Sequence, residues 1–170
     1  MGCLVLPPEA AAEAKTMTIS PVFAVPRAVL APPVITVPAT GSLGAVQAGQ
    51  TGIVKLGSVK VTSSNNRTWV ATVSVTSFKT GGGSPSETIT PGNVSYWSGP
   101  VVSKSGPGTP VPGQATASNR VPLSASRTAF SYSTQLAVTS SVTWQPTLNV
   151  SVPATSVAGT YSGTLTHSVA

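Results

Sequence analysis

Groups able to carry acid-base or metal chemistry are few and far apart in this chain. His167 is the only imidazole, Cys3 the only thiol, and the acids are Glu9, Glu13 and Glu87, with no Asp at all. A catalytic triad needs a nucleophile, a base and an orienting group, and protein metal sites need several convergent ligands. Serines are plentiful, but the bases that would activate them are missing. The sequence therefore predicts a noncatalytic protein with no cofactor and no metal. A lone Cys also rules out an internal disulfide. Gly81, Gly82 and Gly83 follow Lys79 without the strand-to-helix context of a phosphate cradle, so they read as a flexible loop.

What remains is surface chemistry, and six side chains are candidate ligand-binding residues: Trp69, Tyr96, Trp97, Trp144, Tyr161 and His167. Aromatic faces stack on sugar rings, while indole, phenol and imidazole add hydrogen bonds. Position weighs on each. Trp69 shares an alternating apolar face with Ala71, Val73 and Val75, which favours core filling over a ligand platform. Tyr161 reads the same way, its hydroxyl meeting a backbone partner. Tyr96 and Trp97 are adjacent, so on one strand they face opposite ways and one ring is a candidate for exposure. Trp144 precedes Gln145 and Pro146, which places it near a strand end or edge. His167 is a candidate glycan hydrogen-bonder or pH-sensitive group, although a lone His is more often a bystander.

The elements that must position these residues are strands. Ser and Thr exceed a quarter of the chain, Gly and Pro number 16 each, and charged residues are 7% of 170. That composition favours short strands joined by turns, with a hydroxyl-coated surface suited to an extracellular module. The formal charge of +6 comes from Lys15, Arg27, Lys55, Lys60, Arg67, Lys79, Lys104, Arg120 and Arg127, scattered singly. Nucleic-acid binders cluster their cations and interleave aromatics, so no nucleic-acid partner is expected. A diffuse positive field suits a polyanionic cell envelope, or simply keeps the chain soluble.

Prolines at 7, 8, 21, 26, 32 and 33 argue against a helix near the N-terminus, and residues 1–31 read as a leader or flexible arm. Ala12, Glu13 and Ala14 have the small-x-small form of a signal-peptidase site, so this stretch is a candidate remnant of a signal peptide. No apolar run reaches 18 residues, and no membrane span is expected. Residues 32–170 form the predicted domain. Alternating segments at 34–37, 53–62, 69–78, 87–97, 126–132, 136–144, 148–152 and 161–169 give about seven to nine short antiparallel strands, the pattern of an all-β, immunoglobulin-like sandwich. The turn at Ser63, Ser64, Asn65 and Asn66 predicts a hairpin over 59–78, and the stretch 146–170 reads as a second, closing hairpin. The Gly- and Pro-rich segment 98–122 is a long surface loop or an irregular edge.

Two strings carry a family resemblance. Thr68, Trp69, Val70 and Ala71 are similar to a Trp-x-Leu motif with Ala71 at the Leu. Tyr161, Leu165, Thr166, His167 and Val169 are similar to a C-terminal Tyr-x-x-x-Leu-Thr-Trp-x-Leu string, with His167 at the Trp and Val169 at the last Leu. In order and spacing the chain resembles the WxL domain family of secreted Gram-positive surface modules, closest to divergent actinobacterial forms. That resemblance implies a secreted, cell-surface location and noncovalent binding to peptidoglycan or other cell-wall polysaccharide. The alternative from a different class is a structural subunit of a surface layer or filament, self-assembling or joining other surface proteins through its N-terminal arm.

Overall fold

The computed structural model describes residues 30–170. The expectations for Cys3, for the signal-peptidase-like site and for the arm up to residue 29 lie outside the described residues. The described chain is mostly β, with short 3-10 turns at Pro85–Glu87, Pro91–Asn93 and Ala117–Asn119.

Strands are β1 (Val34–Thr36), β2 (Thr51–Lys55), β3 (Val59–Ser63), β4 (Thr68–Val75), β5 (Phe78–Lys79), β6 (Thr88–Ile89), β7 (Val94–Trp97), β8 (Val101–Ser105), β9 (Thr109–Pro112), β10 (Val121–Pro122), β11 (Arg127–Ser133), β12 (Ser140–Trp144), β13 (Thr147–Ser151) and β14 (Leu165–Val169). They form three four-stranded sheets: sheet I in the order β1-β3-β12-β8, sheet II in the order β10-β7-β13-β2 and sheet III in the order β14-β4-β11-β9, with a small β5-β6 ribbon. All pairings are antiparallel. The result is the all-β sandwich expected from the alternation.

Connectivity explains the layers. Three chain segments run through sheet II and bend straight into sheet I: β2 to β3 around Leu56 and Gly57, β7 to β8 around Gly99 and Pro100, and β13 with β12 around Gln145 and Pro146. Sheets I and II thus form one bent wall, and sheet III is the other. Stretches that read as single strands, such as 53–62, therefore appear as two segments, and fourteen segments replace the expected seven to nine. Gly and Pro at the bends end each ladder locally, because Pro has no N–H to give.

Both expected hairpins are corrected by the pairing. β3 lies in sheet I between β1 and β12, whereas β4 lies in sheet III between β14 and β11. The turn at residues 64–67 is thus an arch between walls, with Asn65 at φ 62. β8 to β9 and β11 to β12 make the same crossing. In the closing stretch, β13 pairs with β7 and β2, while β14 joins the edge of sheet III against β4. The physical reason is that both faces of a sandwich need apolar strands, and alternation cannot say whether consecutive strands share a sheet or oppose each other. The Gly- and Pro-rich segment follows its edge reading: β8, β9 and β10 each end a sheet, where Pro110, Pro112 and Pro122 remove no central ladder bond.

The core fills the space between the walls. Trp69 stacks on its cross-strand neighbour Tyr132 at 5.4 Å between ring centroids, and Phe130 of sheet III stacks on Trp144 of sheet I at 4.7 Å. Val59, Val61, Val73, Val94, Val142 and Val150 pack around them. Burial of this apolar area is the dominant stabilising term, at about 25 cal/mol per Å².

Candidate functional site

The outer face of sheet II presents the chemistry most suited to a ligand. Trp97 of β7 and Lys55 of β2 are both in register with Thr147 of β13, one on each side. Directly paired residues share a face of the sheet. Trp97 is half-buried, Lys55 exposed and Thr147 closed off between them as a floor. On the same face, one pleat along, stand Ser95, Asn149 and Ile53, the last 63% exposed.

Where sheet II bends into sheet I, this row opens into a cleft of about 280 Å³ lined by Lys55, Trp97, Pro100, Val102, Gln145 and Thr147 among others. Gly99 makes the bend: its φ is +74, and a Cβ would sit 3.0 Å from the Gln145 carbonyl oxygen. A buried hydrogen-bond set fixes the far wall. The Ser98 hydroxyl donates to the Gln114 carbonyl at 2.9 Å, the Gly99 N–H donates to the same oxygen at 3.1 Å, and Gln114 Nε2 donates to the Thr128 carbonyl at 3.1 Å. Across the cleft, Gln145 Nε2 donates to Ser58 Oγ at 3.3 Å. A rigid indole shelf, an ammonium and an amide on a pre-formed rim can stack on a sugar ring and hydrogen-bond its hydroxyls.

On the opposite face of β7 the environment inverts. Tyr96 is fully buried, and its hydroxyl lies 3.2 Å from His167 Nε2, on the inward side of edge strand β14. With the imidazole neutral and its proton on Nδ1, the hydroxyl donates. Burial pushes the His167 pKa down to about 4. Burial likewise pushes the Tyr96 hydroxyl well above its ordinary value, opposed by the neighbouring Trp144 indole. That indole N–H is buried and finds no partner of hydrogen-bonding geometry. Cross-strand register places Val73 between His167 and Arg127, whose Nε donates to the Pro122 carbonyl at 3.1 Å. Tyr96 is thus the titratable side chain in contact with His167.

The six candidate ligand residues therefore separate. Trp69, Tyr96 and Trp144 are buried in the core and offer no surface to a ligand. Trp144 ends β12 as its Pro146 neighbourhood suggested, but β12 is central in its sheet. Tyr161 is half-buried, its one hydroxyl proton shared between the carbonyls of Ser86 at 3.0 Å and Val157 at 2.9 Å. His167 points inward beside Tyr96. Only Trp97 presents an indole to the cleft. Lys55, Thr147 and Gln145 were not singled out from the sequence, because their approach to Trp97 depends on strand register across about 50 or 90 residues of chain, which no local pattern encodes.

Among the described residues no three His, Cys, Asp or Glu side chains converge as a metal site would require, and no helix is long and apolar enough to cross a membrane. No family model matches the chain, and no curated protein or solved structure matches it either.

Proposed function

We propose that this chain is a secreted, noncatalytic glycan-binding module that holds cell-wall polysaccharide or peptidoglycan on the outer face of sheet II. The observation that carries the reading is the Trp97, Thr147 and Lys55 row opening into the cleft at the sheet bend. The likeness to WxL domains supports a wall ligand. Its carrier residues serve the fold here: Trp69 is core, and Leu165, His167 and Val169 face inward on β14. In this reading Trp97 takes over ligand contact from the motif positions.

Sedimentation with purified Gram-positive cell walls tests the proposal. The diffuse charge contributes an attraction that fades as the Debye length shrinks to about 3 Å near 1 M salt, whereas stacking persists. Partial retention in high salt, lost in Trp97→Ala at unchanged melting temperature, is the expected result. Binding that vanishes wholly in salt would reduce the activity to nonspecific charge.

The assembly reading has one observation of its own. β1 is the edge of sheet I, and its first residue Val34 and the preceding Leu30 are 63% and 53% exposed, as a strand receiving a neighbour would be. Concentration-dependent sedimentation without wall material, together with absence of wall binding at low salt, would put that reading first.

A further inference from the structure

The outer face of sheet II carries a cation beside its aromatic shelf, and that pairing selects among glycans. We propose that the Trp97, Thr147 and Lys55 row binds a saccharide bearing a carboxylate, its ring on the indole and its anion at the Lys55 ammonium. The inference rests on the glycan-binding reading and names the ligand class of that same site.

Geometry couples the two groups. Trp97 and Lys55 occupy strands on either side of β13, so their backbones stand about 10 Å apart, two spacings of about 4.8 Å. The flexible Lys side chain shortens the reach to the span of a sugar ring and its neighbour. Thr147, buried between them, keeps the floor flat.

Charge supports the same reading. No residue lining the cleft is acidic. Among the described residues the one acid is Glu87, and its carboxylate is held at Ser84, accepting from the Ser84 N–H at 3.0 Å on the loop after β5. Hydrogen bonds to Ser84 hold that carboxyl below the usual carboxylate range, so it stays committed there. Lys55 is thus left without a carboxylate in its own cleft, beside a ring platform that a free ion would not use. A point-charge ammonium accepts a carboxylate without demanding a fixed approach.

Calorimetry on the full chain, at about 0.15 M salt where long-range charge is screened beyond about 8 Å, distinguishes the outcomes. Probes are a glucuronate and N-acetylglucosamine tetrasaccharide, its carboxyl-reduced counterpart, and ring-free poly(glycerol phosphate). The uronate form should bind about tenfold tighter than the reduced form, a difference of about 1.4 kcal/mol. Lys55→Gln should abolish that preference and leave affinity for the reduced sugar unchanged. Lys60→Gln, which removes an exposed charge from sheet I, should preserve it. Equal binding of the two sugars would overturn the carboxylate inference and leave glycan binding standing. Failure of both sugars to bind by a chain that still sediments with cell walls would overturn the carboxylate inference alone, and their failure together with loss of wall sedimentation would overturn both. Loss of preference in Lys60→Gln, or poly(glycerol phosphate) binding as tightly as the uronate, would overturn the inference in favour of overall charge.

Discussion

Tyr96 and Trp97 are consecutive residues on one strand, and they live in opposite environments. Tyr96 is sealed in the core, its hydroxyl shared with His167 and its titration pushed far upward by burial. Trp97 stands on the outer face beside an ammonium and an amide. The difference is one step of the pleat. It teaches that aromatic content alone does not mark a surface in such a sandwich: Trp69 and Trp144 are sealed between the walls, and Trp97, on the other side of its sheet, is the tryptophan that lines an open cleft.

The largest effect should come from the inner side. Trp144→Ala removes a fully buried ring stacked on Phe130 and should cost about 3 to 5 kcal/mol in urea unfolding. Trp144→Phe sharpens the point. It keeps a stacking ring and deletes the unpartnered indole N–H, so it should cost about half as much or less. An equal cost for both would shift the weight from the ring to the polar atom.

The second effect is acid sensitivity at His167. The folded protein keeps this ring neutral down to about pH 4, whereas the unfolded chain takes up its proton near 6.5. The unfolded state therefore binds more protons between those values, and stability falls as pH drops from about 6.5 to about 4, by roughly 3 kcal/mol in all. Above 6.5 this contribution is flat. His167→Gln should flatten the window, and a profile unchanged by that substitution would show that the ring is hydrated in the folded state.

Gly99→Ala comes next. A side chain at φ +74 is strained, and its Cβ would crowd the Gln145 carbonyl at 3.0 Å. A loss of about 1 to 2 kcal/mol is expected, with weaker wall retention because the cleft rim moves. Retained binding at full strength would detach the bend from the site.

Trp97→Ala should be the mildest for the fold, within about 1 kcal/mol, while removing most salt-resistant wall binding. A stability loss matching that of Trp144→Ala would erase the distinction between the two faces.

Strand content, the edge character of residues 98–122 and the inward role of Trp69 were legible, because alternation and Pro placement are local properties. Partner choice was not. The turn at residues 64–67 has the polar composition of a hairpin loop, yet it carries the chain from one wall to the other, since composition fixes that a turn occurs and tertiary packing fixes where it leads. Trp97 was half visible: its opposition to Tyr96 followed from the pleat, but which of the two faced out depended on the sheet packed against β7. His167 beside Thr166 read as a candidate glycan hydrogen-bonder, a pH-sensitive group or a bystander, with no local signal for its facing. Cross-strand pairing with Val73 turns it inward.

The bent walls also set an order of events during folding. β2 pairs with β13, with Thr51 and Ser151 in side-chain contact 100 residues apart, and the end of β4 meets the approach to β14 across 88. Few of the strong pairings close short loops, so the transition state must gather distant segments, and folding should be slow for a domain of this size. During synthesis β4 has no outer neighbour until residues 165–169 have emerged. Until then its apolar face and open ladder resemble the sticky edge that drives misassembly, and a chaperone would shield it.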